Sequence, residues 1–181
     1  MKNFTQFILL AFSTFCFSQT NPVAQTLPYN QNFGTSTFNA MPTGMAAWRP
    51  STSPLTTQVA AENSVANADA TLGTATASTT TGGTFGYANS SNGRVYIQQS
   101  TNATNGTNQI VAAVNSGAST SLLISYQLEL INGGATTQDF GIELQYRAGT
   151  TGTWTNVPSS VITFGAVTSY TTSTQSYVVN G

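Results

Sequence analysis

The chain is predicted to fold as an all-β antiparallel sandwich, and three observations lead there. Residues Ser121 to Arg147 hold two long alternating runs joined by a polar, glycine-bearing stretch. Short strand-like runs recur at near-regular spacing with turn residues between them, the pattern of sandwich folds. Thr, Ser, Asn, Gln and Gly dominate the polar positions, and the β-branched hydroxyl of Thr suits a pleated surface while discouraging helix. No helical segment is expected beyond residue 20.

The elements follow in chain order. The amino terminus has a basic start at Lys2, an apolar stretch from Phe7 to Phe17, and the small residues Cys16 and Ser18 before Gln19. This is the form of a secretory signal peptide over residues 1–18, with cleavage between Ser18 and Gln19. The apolar stretch is shorter than the ~20 residues of a membrane-spanning helix. Bulky Phe15 directly before Cys16 argues against lipidation of that cysteine. Residues 19–26 read as a polar linker, and the sandwich module is expected over 27–181. Leu27, Tyr29, Gln31 and Phe33 alternate with Pro28, Asn30 and Asn32, which suggests a strand that Pro28 confines to an edge. Gly34 to Gly44 is loop. Met45 to Trp48 is a short apolar run ended by Arg49 and Pro50, with Trp48 expected as a core or rim anchor rather than a ligand platform.

Residues 51–84 lack a sustained period and read as a loop or weak edge strands. Their threonine ranks do not repeat at the fixed interval that a flat hydroxyl array for ice or sugar requires. Phe85–Ala88 and Arg94–Gln98 flank Asn89–Gly93, a hairpin signal ending in Asn-Gly. Ile110–Val114 is a short strand, and Asn115 to Gly117 turns the chain into the 121–147 segment. That segment reads as a central β-hairpin, with Leu122, Ile124, Tyr126, Leu128 and Leu130 on one face of the first strand. Phe140, Ile142, Leu144 and Tyr146 share one face of the second. The opposite faces carry Gln127, Glu129, Asp139, Glu143, Gln145 and Arg147. Gly149 to Gly152 forms a tight turn, and Trp154–Val157, Val161–Phe164 and Ser176–Val179 are further strands.

Composition excludes several functions. Only 5% of residues are charged, against about 25% in an ordinary globular domain. After cleavage, Arg49, Arg94 and Arg147 face Glu62, Asp69, Glu129, Asp139 and Glu143, a net charge of −2. Three scattered arginines cannot track a phosphate backbone, so nucleic acid is not an expected partner. With no histidine in the chain, Ser-His-Asp and Cys-His catalysis are excluded, and zinc lacks its usual ligands. Asp139 and Glu143 on one strand would stand roughly 13 Å apart, too far for a glycosidase pair. Glu129 and Glu143, on paired strands, would come closer, but solvated charges guarding an exposed face are the simpler reading. No Asp-rich calcium loop is present. Asn89, Asn102 and Asn105 begin glycosylation sequons, which chance produces in a chain so rich in Asn and Thr. No catalytic residue, cofactor or metal ligand is assigned.

The signal peptide, the LPYNQNF run, Trp48, and the ISYQLELIN, DFGIELQYR and TGTWTNV segments together resemble the amino-terminal module of large secreted Bacteroidetes proteins. Tyr126, Glu129, Gln145, Tyr146, Arg147, Gly152, Trp154 and Val157 match that group's pattern. The resemblance implies a concanavalin A-like jelly roll, here missing its last strands, because a further apolar strand and an acidic strand follow in the group. Residues 174–179 are then expected to lack a neighbour.

Three functions are consistent with this pattern. The first is a non-catalytic secreted surface module that binds glycans or surface proteins, with Tyr87, Tyr96 and Trp154 as exposed aromatic candidates. The second is an accessory domain ahead of an extracellular hydrolase or nuclease. The third is a self-associating structural surface protein, suggested by weak charge and many β-prone runs. No membrane insertion is expected once the signal is removed.

Overall fold

The computed structural model describes residues 20–33, 39–50, 67–69, 72–75, 83–87, 93–98, 108–130, 140–164 and 170–180. The signal peptide, the Ser18/Gln19 cleavage site, the three sequons and Asp139 lie outside the described residues. Among those described, every regular element is a strand. In order these are β1 (Gln25–Thr26), β2 (Met45–Pro50), β3 (Asn67–Asp69), β4 (Leu72–Ala75), β5 (Gly83–Tyr87), β6 (Arg94–Gln98) and β7 (Gln109–Ala112). There follow β8 (Val114–Asn115), β9 (Ser121–Leu130), β10 (Phe140–Ile142), β11 (Gln145–Tyr146), β12 (Thr155–Asn156), β13 (Ile162–Phe164) and β14 (Tyr170–Asn180). The chain is all-β, with its strands distributed over several small sheets.

The pairing corrects the central hairpin. β9 does not pair with the strand that follows it; its partner is β14, antiparallel over nine registered positions from Tyr170↔Leu130 to Asn180↔Ser121. The alternation read in β9 is real all the same. Leu122, Ile124, Tyr126 and Leu128 are half-buried while Ser121, Leu123, Ser125 and Gln127 are exposed. β14 answers in phase, with Tyr177 half-buried and Val179 buried against exposed Thr174, Ser176 and Val178. Residues 174–179, expected without a neighbour, thus form the main ladder of β9.

The second half of the expected hairpin is broken at its centre. β10 pairs with β13 and β11 with β12, so the run from Phe140 to Tyr146 changes partner at Glu143 and Leu144. Ser160, fully buried, supplies the reason: its hydroxyl accepts from the Leu144 amide at 3.1 Å and donates to the Leu144 carbonyl at 3.2 Å. The Val157 amide also donates to that carbonyl, at 2.9 Å. Leu144, half-buried, therefore satisfies its backbone without a ladder. Just before Ser160, Ser159 takes a left-handed φ of 61°, a conformation seldom adopted outside glycine.

Three further differences concern the amino-terminal half. The LPYNQNF run is not a strand: Pro28 has no amide hydrogen to give a ladder, Phe33 turns to a φ of 57°, and the Tyr29 hydroxyl donates to the Thr43 carbonyl at 2.8 Å. The strand lies earlier, at β1, inside the segment read as a linker. β1 runs parallel to β8, and the Gln25 amide donates to the Ala113 carbonyl at 2.9 Å. The pairing is also not purely antiparallel, because β4 and β5 are parallel as well. Gly44 accommodates the β1 crossing: its φ is +86° and any side chain there would meet that of Gln25.

Other expectations match. β5 and β6 pair antiparallel across the expected turn; that β2 lies between β3 and β7 is a pairing the sequence did not announce. Gly117, with φ of 59°, turns the chain into β9 while its amide donates to Asn115 Oδ1 at 3.0 Å. Gly149 (φ 66°) serves the turn after β11. Among the described residues the buried apolar ones are Ala47, Trp48, Leu72, Ala75, Val157 and Val179.

On the β9–β14 ladder the Tyr126 and Tyr177 rings stand diagonally, centroids 6.2 Å apart. Burial, followed by the neighbouring Tyr177, pushes the Tyr126 hydroxyl up to about 12. The neutral phenol is thus favoured in the folded chain. Its contribution to stability is complete below the ordinary tyrosine value near 10 and is lost as the pH rises from there through about 12. A spectrophotometric titration is expected to show one late-ionising tyrosine, absent in Tyr126→Phe, and denaturation midpoints of the wild type should fall more steeply than those of the variant across that window.

Candidate functional site

Two aromatic constellations stand out, and one of them is built on a fully buried ring. The first surrounds Trp48, which is 0% exposed. Its indole N–H donates to the Thr20 carbonyl at 3.3 Å, and Trp154 meets its ring edge-on at 6.2 Å. Arg147 lies beside both indoles, its guanidinium carbon 5.4 Å from the Trp48 centroid and 4.6 Å from that of Trp154. One of its nitrogens donates to Asn21 Oδ1 at 2.6 Å. Burial lowers the Arg147 pKa from its ordinary value, and two ring faces offset part of that desolvation through cation–π attraction. Every group here is engaged with the protein itself, so this cluster is a clasp holding residues 20 and 21 to β2 and to the turn after β11. Trp154, read from the sequence as an exposed aromatic, is half-buried here beside Arg147, as Tyr87 and Tyr96 are on their own sheet.

The second constellation occupies one face of the β4–β5–β6 sheet. Alternation along β5 turns Thr84 and Gly86 to a buried side and leaves Phe85 and Tyr87 half-exposed on the other. The antiparallel register sets Tyr96 opposite Phe85 and Arg94 opposite Tyr87 on that same face. Phe85 and Tyr96 stack at 5.1 Å with 20° between planes, while Tyr87 meets Tyr96 edge-on at 5.7 Å and 84°. Both are favoured arrangements of aromatic quadrupoles.

Gly73, opposite Phe85 on β4, makes room for this stack. A Cβ at Gly73 would stand 2.7 Å from the Phe85 ring, closer than any side chain tolerates. Arg94 forms an ion pair with Glu129 of β9, both side chains being partly exposed. Glu129 is therefore engaged by a cation, and its strand does not run beside the segment that carries Glu143.

Among the described residues no group of three or more His, Cys, Asp or Glu is placed to hold a metal ion, and no helix is long and apolar enough to cross a membrane. Compared with known proteins, the chain matches no family model, no curated protein and no solved structure. Of the three aromatic candidates read from the sequence, the fold brings Tyr87 and Tyr96 together and leaves Trp154 apart. Phe85 and Gly73 complete the site. Phe85 was readable as a strand residue in phase with Tyr87, but nothing local in the sequence announces that Gly73 will lie beside it.

The clasp yields a stability prediction. Replacing Arg147 with Ala removes two cation–π contacts and the Asn21 bond, an expected loss of about 1–2 kcal/mol in chemical denaturation. Arg147→Lys should recover little of it, since a compact ammonium cannot reach both indoles and Asn21 at once. Equal stability of the wild type and Arg147→Lys would mean that charge alone, without the spread of the guanidinium, is what matters.

Proposed function

We propose that this protein is a non-catalytic, exported module of jelly-roll sandwich type that adheres to surface glycans or surface proteins through the aromatic face of β4–β6. The carrying observation is the half-exposed Phe85–Tyr96–Tyr87 cluster. Exposed aromatics held in fixed geometry are suited to recognition: they offer apolar area with a polar tip and lose little conformational freedom on binding. The signal-like amino terminus supports export, and the resemblance to modules of secreted Bacteroidetes proteins supports the surface setting. Absence of histidine and the engagement of Glu129 by Arg94 favour binding over catalysis.

A second reading, self-association, is favoured by one observation. Leu123 and Val178 are direct cross-strand partners on β9 and β14 and are 73% and 57% exposed. That pair is small beside the several hundred Å² of a typical functional apolar patch, so adhesion through the aromatic face is preferred.

The test compares wild type with a Tyr87→Ala/Tyr96→Ala variant of unchanged circular dichroism on immobilised polysaccharides and bacterial or host cell surfaces. Adhesion is expected to drop about tenfold or more, the loss typical of aromatic hot spots. Undiminished adhesion by the variant, or no adhesion by either protein, would overturn the proposal.

A further inference from the structure

Three features of the aromatic face narrow its ligand. They concern charge, rigidity and size.

Charge comes first. The cation on this face, Arg94, is bound to Glu129, so the two cancel locally. A uronate or sulfate would reach Arg94 only beside the Glu129 carboxylate, whose charge repels it and cancels the attraction. A cationic ligand meets the converse obstacle. What remains is the π surface of the rings with the hydroxyl of Tyr87. Ring faces are electron-rich, and the C–H-bearing face of a pyranose is weakly positive and apolar, so the two attract while sugar hydroxyls reach that phenol and the guanidinium edge.

Rigidity comes from Gly73. With no Cβ there, the Phe85 ring settles against the β4 backbone, and Tyr96 stacks on it at 5.1 Å. A platform fixed before binding loses little entropy when it binds, which matters for ligands that offer few contacts.

Size disfavours a protein partner. Three half-buried rings expose far less than the ~800 Å² that each side of a stable protein interface contributes, whereas they span one or two sugar rings.

We infer that the Phe85–Tyr96–Tyr87 face is a preformed binding site for uncharged pyranose units, with Gly73 as its positioning residue. This rests on the adhesive reading above and names its ligand.

The experiment titrates the soluble chain with uncharged oligosaccharides (cello-, xylo- and malto-oligomers) and with charged ones (oligogalacturonate and a sulfated oligosaccharide), by calorimetry and NMR, at low and high salt. At least one uncharged series is expected to bind saturably and without salt dependence, since no ion pair forms. Tyr96→Phe should retain most of this affinity and Tyr96→Ala should lose about tenfold or more. Gly73→Ala should weaken binding and move the Phe85 ring resonances while the amide resonances of β9 and β14 stay in place.

Binding confined to charged oligosaccharides, or uncharged binding that Tyr96→Ala leaves intact, overturns the assignment. The two proposals fail in different ways. Surface adhesion that requires Tyr87 and Tyr96 without any uncharged oligosaccharide binding removes the sugar assignment and points to a protein ligand, leaving adhesion in place. Absence of both removes both.

Discussion

The burial of Trp48 is the constraint on which much of the described fold depends. An indole with no solvent exposure must place its N–H on an acceptor, and the acceptor is the carbonyl of Thr20, 28 residues away in sequence. That bond draws the amino-terminal segment across β2, where β1 can run beside β8 and Gln25 can lie over Gly44. On its other side the indole faces Arg147, which is bonded to Asn21 and covered by Trp154. One side chain thus joins the start of the described chain, a central strand and the turn region after β11. In a protein without disulfides in its described part and with 5% charged residues, such polar anchoring inside an apolar contact supplies specificity that burial alone lacks.

Period and turn chemistry were legible from sequence, whereas partnership was not. The alternation of β9, the β5–β6 pair, the Asn115–Gly117 turn and the Gly149 turn all rest on local rules: side chains alternate along a strand, and glycine alone enters the left-handed region cheaply. Which strand lies beside which depends on contacts distant in sequence. β9 meets β14 because the two faces match in phase over eight consecutive positions, from Ser173↔Leu128 to Asn180↔Ser121. The nearer segment fails to compete because Ser160, a residue with no marked signature, captures the Leu144 backbone. Likewise Arg147 alternates with Tyr146 like any outward strand residue, so its position beside two indoles could not be read from spacing. The candidate site divides the same way. Tyr87 and Tyr96 were visible as exposed-strand aromatics, but Gly73 belongs to a low-complexity stretch whose parallel pairing with β5 no periodicity revealed.

Scarcity of charge gives the few ionic contacts unusual reach. Arg94–Glu129 ties the three-stranded β4–β5–β6 sheet to β9, and both partners are partly solvated. An exposed pair of this kind adds little to stability. Its effect is positional, because it fixes how the aromatic face sits relative to the long β9–β14 ladder and leaves that face electrically neutral. Neighbouring polar contacts are uncharged, as in the Ser125–Ser176 hydroxyl pair at 2.6 Å on the outer face of the ladder.

The β9–β14 ladder also sets the order in which the chain can complete itself. Ser125 and Ser176 are 51 residues apart, and the strands between them are paired elsewhere. A chain growing from its amino terminus presents β9, ten residues long and apolar on one face, well before its partner exists. Closing so large a loop is slow relative to making a local hairpin. Until β14 arrives, the hydrogen-bonding edge of β9 is open to any extended segment that passes, which makes this interval the time when the nascent protein is most exposed to mispairing and most dependent on dilution or chaperone cover.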